Sequence, residues 1–344
     1  MRNQSEHRNT YKHDYATVAY KVRNKLWNWF NPSSGSKGRR LYLYPAYYRL
    51  LTKKKPNTEN QTVYLTQKSH LTSGIGVNFE NIYSGFCTAI ELGVEYAYSP
   101  LPNETLNQML AMGEGVVKVQ DLLAQGYHKV RLPYFSWEKE EEVELIKKMI
   151  QVYQGEKVVF YLEDQQLMPS RISAKYRGLL ANRFWNATIR EQDPNIYSSD
   201  AVHIAIHIRR GHVGELTVKP GLEEWWLDNS YYTQVIEQIK ARPEYKDKKV
   251  ELFIISEGEK DLFTDIEEYA QKAHMEVHYI LNETIAASWL YMIKAEVLLT
   301  GPSSFSYNAA LFYRGLKVSP QSRFYYPKES DWLVAEKDGT IIER

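Results

Sequence analysis

The order of apolar and polar positions divides most of this chain into short β-rich runs and longer helical stripes. Thr62-Val63-Tyr64-Leu65-Thr66 has the β-branched and aromatic make-up of a strand. From Asn78 to Leu92 apolar residues return at helical intervals, at Phe79, Ile82, Phe86, Ala89 and Ile90, which predicts a helix. Val94–Tyr98, Lys129–Leu132 and Val158–Leu162 read as further strands. Between the last two, the charged stretch Trp137–Tyr153 carries one apolar stripe at Val143, Ile146, Met149 and Ile150. The alternation resumes after a polar segment, Arg190–Asn195. Strands are predicted at Val202–Ile208, Val250–Ser256, Val277–Leu281 and Glu296–Thr300, and helices at Tyr231–Lys240, Leu262–Ala273, Ile285–Lys294 and Phe305–Tyr313.

Strand alternating with helix is the pattern of α/β layers built on a mainly parallel sheet. No period of roughly 20–50 residues repeats, which excludes a solenoid. The expected architecture is two Rossmann-like α/β domains facing a cleft, with residues 39–190 in the first and 200–344 in the second. Residues 1–38 are polar and contain the breaker run Asn31-Pro32-Ser33-Ser34-Gly35-Ser36, so an irregular N-terminal segment is expected there.

Composition narrows the function classes. Among 344 residues, 43 basic and 42 acidic side chains leave a net charge of +1, which gives no general attraction for nucleic acid or an anionic membrane. Any basic site must be local. The single cysteine, Cys87, excludes an intramolecular disulfide or a thiolate metal cluster, and its apolar surroundings, Gly85 to Ile90, predict a packed thiol. Met1 to Tyr20 has no apolar leader core, and no apolar run reaches roughly 18 residues, so no transmembrane segment and a cytoplasmic location are expected. The 27 tyrosines and 8 tryptophans offer flat faces for sugars and equally fill cores. Tyr83, Tyr134, Phe135 and Trp137 are candidates for either use.

Three segments carry candidate chemistry. Strand 202–208 ends in Arg209-Arg210-Gly211-His212, and ligands of open α/β sheets bind beyond the carboxyl ends of the strands. Two guanidiniums beside a glycine suit a diphosphate, because Arg presents paired donors in a rigid fork; a solvated Arg pair is the plain alternative. The strand at 296–300 runs into Gly301-Pro302-Ser303-Ser304-Phe305-Ser306 and then an apolar helix. A helix start with serine hydroxyls receives an anion well, and the same serines equally serve as ordinary N-caps. The third segment is Ser73-Gly74-Ile75-Gly76-Val77-Asn78. It permits close backbone approach, or merely tight packing, and lacks the third glycine of a dinucleotide fingerprint.

His207-Ile208-Arg209-Arg210-Gly211 resembles the H-x-R-R-x segment of the α1,2-, α1,6- and protein O-fucosyltransferase superfamily. Gly74-Ile75-Gly76-Val77-Asn78 is similar to the glycine-rich first turn of those enzymes. Ser256-Glu257 is similar to their Ser-Asp after a strand, and Thr300–Ser306 resembles their serine-rich loop. The four pieces match in order and spacing over residues 70–315.

The resemblance implies a GT-B-like fold, a GDP-fucose donor, a glycan acceptor and inverting transfer without a metal ion or other cofactor. It implies donor contacts from His207, Arg209, Arg210, Gly74, Gly76, Asn78, Ser256, Ser303, Ser304 and Ser306. The absence of an Asp-x-Asp motif agrees independently with transfer that uses no metal site. Inverting displacement needs a base near the diphosphate: Glu215 is the first candidate and His212 the second, with Arg209 stabilising the leaving group. The first domain is then expected to bind the acceptor. Two positions depart from the family: His212 stands where Asp is common, and Ser288 where an acidic residue meets guanine. Another nucleotide sugar, or a non-catalytic nucleotide- or glycan-binding module, therefore remains an open alternative.

Overall fold

The computed structural model describes residues 61–67, 75–101, 103–132, 135, 137, 139–162, 170–198, 200–210, 225–321 and 332–342. The chain forms two compact units, Met1–Asn107 with Met112–Ser173, and Gln108–Ala111 with Ala174–Arg344. In the first unit β1 (Tyr64–Gln67) is followed by α1 (Ile75–Leu92) and β2 (Glu95–Tyr96). Then come α2 (Glu104–Leu110), α3 (Val119–Ala124), β3 (His128–Arg131), α4 (Glu140–Gln151) and β4 (Val158–Leu162). Its four strands pair in the order β2-β1-β4-β3, all parallel. Helix α1 starts at Ile75, three residues before the apolar spacing becomes regular, and Ile90 at its far end is 39% exposed rather than part of the core. Helix α4 holds Glu140, Glu141 and Glu142 in its first turn and Lys148 in its last, the arrangement that complements a helix dipole. Cys87 is fully buried and burial pushes its thiol well up, as expected for a packed thiol.

The second unit starts within α5 (Ser170–Trp185). Then follow β5 (Val202–His207), α6 (Asn229–Lys240), β6 (Val250–Ser256), α7 (Thr264–Lys272), β7 (Glu276–Leu281) and α8 (Ile285–Lys294). The last elements are β8 (Val297–Leu299), α9 (Ser304–Ala310), β9 (Leu316–Pro320), β10 (Trp332–Ala335) and β11 (Ile341–Ile342). The sequence reading ends the first half at residue 190, whereas the compact units divide at Ser173 and Ala174. The reason is packing. Phe184 is fully buried with its ring 5.4 Å from Phe312, and the Trp185 indole donates to the Phe312 carbonyl at 2.9 Å.

Seven strands pair in the order β11-β10-β9-β8-β5-β6-β7, parallel except for β10 with β11. Counted from β5, the six parallel strands run 3-2-1-4-5-6, the order of a doubly wound sheet. Strands β5 and β6 are buried along their whole length, which accounts for their near-continuous apolar composition. Helix α6 covers them with Tyr231, Tyr232, Val235, Ile236 and Ile239, all buried. Each such side chain contributes about 1.5–3 kcal/mol by leaving water. No helix among the described residues is long and apolar enough to cross a membrane.

Candidate functional site

The strand order reverses at β5, whose neighbours are β6 on one side and β8 on the other. In doubly wound sheets such a reversal of strand order is the point at which ligands bind, beyond the carboxyl ends of the strands. Ile206 pairs with Leu299, which places His207-Ile208-Arg209-Arg210 beside Thr300-Gly301-Pro302-Ser303. The two anion-suited segments singled out in the sequence thus meet at one point. A Cβ on Gly301 would lie 2.9 Å from the His207 carbonyl oxygen and 3.2 Å from His207 Nδ1. Only glycine lets this turn approach β5 so closely.

His207 is buried and shares a 2.9 Å hydrogen bond between Nδ1 and Ser306 Oγ. The Phe305 ring lies 5.3 Å from its own. Burial, reinforced by the charge of Arg209, lowers the His207 pKa from 6.5 to about 3, so its imidazole is neutral. The proton is disfavoured in the fold alone. The resulting stability is complete above pH 6.5 and is lost as pH falls from 6.5 toward 3, where only the unfolded chain gains the proton. The urea midpoint should therefore fall across that window, and fall less steeply in His207→Gln; equal slopes would show that His207 does not titrate in this way.

The adjacent arginines are put to different uses. Arg210 is 5% exposed, donates to Asn229 Oδ1 at 2.7 Å and to the Arg209 carbonyl at 3.0 Å, and stacks 4.0 Å over Trp226. It fastens the end of β5 to the start of α6. Arg209 is half-buried, with Nη1 donating to the Pro302 carbonyl at 3.2 Å and the guanidinium 4.5 Å from the centre of the Trp225 ring. This bridges the β5 and β8 ends and sets the guanidinium over the indole ring. Trp225, Trp226 and Asn229 were not singled out in the sequence. The adjacent Trp pair following the adjacent Arg pair was the available signal, since Arg planes stack on aromatic faces.

The serines also divide. Ser303 caps α9 by accepting from the Phe305 amide at 3.2 Å, and Ser306 is fully buried on His207. Ser304 is half-buried at the first position of α9, where the helix dipole is positive. Ser256 Oγ donates to the Ile208 carbonyl at 2.7 Å and to the Glu257 carbonyl at 3.1 Å, tying β6 to the end of β5 rather than facing outward. Gly76 and Asn78 lie in the first turn of α1 in the first unit. Gly74, His212, Glu215 and Tyr134 lie outside the described residues. Of the sugar-stacking candidates, Tyr83, Phe135 and Trp137 are buried at 5%, 2% and 6% exposure, and Phe135 and Trp137 pack edge to face, so these serve the core.

No protein-family model matches the sequence, and no curated protein matches it. Among solved structures, the chain is similar to POFUT1 in complex with GDP, at 12% identity and a TM-score of 0.43 over 81% of this chain and 99% of that one. It is also similar to the E. coli heptosyltransferase WaaC with ADP-2-deoxy-2-fluoro heptose, at 10% identity and a TM-score of 0.39 over 80% and 94%. A glycosyl transferase family 9 protein from Veillonella parvula matches at 9% identity and a TM-score of 0.39 over 80% and 86%.

Proposed function

We propose that this chain is an inverting glycosyltransferase of GT-B type that moves fucose from GDP-fucose to a glycan acceptor without a metal ion. The observation that carries this reading is the meeting of Arg209 and the first turn of α9 at the switch point between β5 and β8. A diphosphate placed there receives a fixed guanidinium and a positive helix end. In a single displacement the acceptor oxygen forms a bond to the sugar C1 as the C1–O bond to the diphosphate breaks. The electron pair leaves with the diphosphate, and Arg209 balances its charge. Glu215 takes the acceptor proton in this scheme, with His212 as the alternative base, and the first unit binds the acceptor.

One observation favours a second reading, a donor with another base. Ser288 stands where the resemblance calls for a guanine-binding carboxylate, and it is buried on α8 at 7% exposure.

Thermal melts with GDP, UDP and ADP separate the two readings, since a ligand present at about 100 times its Kd stabilises the fold by about 2.7 kcal/mol. GDP is expected to give the largest rise. A larger rise with UDP or ADP would exclude fucose transfer from GDP-fucose, and no rise with any of the three would remove the nucleotide site. In Glu215→Gln, GDP should stabilise as before while transfer falls by roughly 10²–10⁴-fold. Undiminished transfer would take Glu215 out of the mechanism.

A further inference from the structure

The amino ends of β6 and β7, at the opposite edge of the sheet from β5's carboxyl end, hold a cluster that the proposed reaction does not use. Glu251 pairs with Glu276 across the two strands, and Phe253 pairs with His278 two residues further on. Side chains two apart on a strand share a face, so both carboxylates and the imidazole project to one side. Two carboxylates directly opposite each other repel unless a cation stands between them. Lys249 meets part of that need, with Nζ 2.6 Å from Glu251 Oε1 and 3.5 Å from Glu276 Oε2.

The other oxygen of each carboxylate faces the histidine. His278 Nε2 lies 3.5 Å from Glu251 Oε2 and 3.5 Å from Glu276 Oε1. Those separations are long for charge-assisted hydrogen bonds, which run at about 2.7–2.9 Å. His278 Nε2 is shielded from solvent and makes no hydrogen bond. One ligand atom from each of the three residues lies within 4.8 Å of the others. Donors bound tetrahedrally at about 2.0–2.1 Å stand about 3.3–3.4 Å apart, close to the two spacings seen here.

The cluster also has the supporting contacts of a metal site. Phe253 stacks on the His278 ring at 4.5 Å and 18°, which fixes its direction, and Lys249 holds the outer carboxylate oxygens. Glu251 is 5% exposed, so its orientation is set by packing.

We propose that Glu251, Glu276 and His278 bind a divalent transition ion of the zinc class, with a fourth position left for water. One nitrogen and two carboxylate oxygens suit such an ion better than calcium or magnesium, which take oxygen alone. The ion fastens β7 to β6 and takes no part in sugar transfer.

Cobalt(II) titration of the full chain tests this, because tetrahedral cobalt absorbs visible light far more strongly than octahedral cobalt. One equivalent should produce the tetrahedral spectrum, and zinc should displace it. His278→Ala and Glu276→Gln change partly or largely exposed side chains, so both variants should fold with unchanged circular dichroism. Each should weaken cobalt binding at least tenfold and abolish the rise in melting temperature that zinc gives the unaltered chain. A missing tetrahedral spectrum at one equivalent, or the same spectrum and affinity in His278→Ala, would overturn the proposal. Nucleotide binding should be the same in both variants, which separates this site from the one at Arg209.

Discussion

Arg209→Ala is expected to lower the transfer rate by roughly 10²–10³-fold, about 2.7–4 kcal/mol of transition-state stabilisation, as for other charge-stabilising donors removed from a preorganised site. The argument rests on how Arg209 is held. Its guanidinium lies over the Trp225 ring and is bonded to the Pro302 carbonyl, so its direction is set before any ligand arrives. A preorganised cation needs no reorientation as charge builds on the leaving diphosphate, and a half-buried one is screened less than an exposed one. Arg209→Lys should recover little, because an ammonium lacks the planar fork and cannot stack in the same way. Steady-state kinetics with a saturating acceptor would show the loss in kcat as well as in kcat/KM. If Arg209→Ala turned over at nearly the original rate while remaining folded, the diphosphate would have to be bound elsewhere.

Trp289→Ala is expected to destabilise the second unit by about 3–5 kcal/mol, the range for large aromatic truncations in a packed core. Trp289 is fully buried on α8, with its ring 5.9 Å from Phe305 and 6.2 Å from Phe312. Phe312 in turn meets Phe184, and Phe305 meets His207. The residue thus stands in a row of rings running from α5 to the end of β5, beneath the turn at Gly301–Ser306. Truncation leaves a cavity that rigid neighbours fill only in part. Urea unfolding should show a lower midpoint with an unchanged slope, and Trp289→Phe should lose much less. Nucleotide affinity should fall in parallel at temperatures where Trp289→Ala is still folded, because Phe305 would lose the ring that supports it. A loss below 1 kcal/mol would mean that α8 and α9 reclose without the indole.

The strands that carry the site were the easiest to read. β5 and β6 are buried on both faces, so their β-branched runs are almost unbroken and their ends are marked by Arg209 and Ser256. β9 was missed for a physical reason. Lys317 interrupts its apolar pattern, yet it is 2% exposed, with its ammonium 5.8 Å and 5.7 Å from the rings of Tyr313 and Trp332. A lysine covered by two rings is indistinguishable in sequence from a solvated one. Helix α5 was missed because its buried Leu180 and Phe184 are separated by polar and basic residues and its partner, Phe312, lies far along the chain.

By itself the sequence determined which strand ends hold the candidate chemistry, because β-propensity and turn residues act over a few neighbouring positions. It marked β5 and β8 with their Arg and Gly-Pro-Ser tails and set Cys87 apart as a core thiol. Only the tertiary structure decided which partners each member of a repeated pair takes. Arg209 and Arg210 are identical and adjacent in the chain, yet Asn229 and Trp226 claim one and leave the other beside Trp225. Ser303, Ser304 and Ser306 are equally interchangeable on paper, until His207, 99 residues away from Ser306, takes that hydroxyl. Hydrogen bonds and ring contacts act over a few ångströms, and a strand crossover brings residues that close without leaving a trace in local pattern. The candidate site was therefore legible as two separate tails, and they came together when β8 paired with β5.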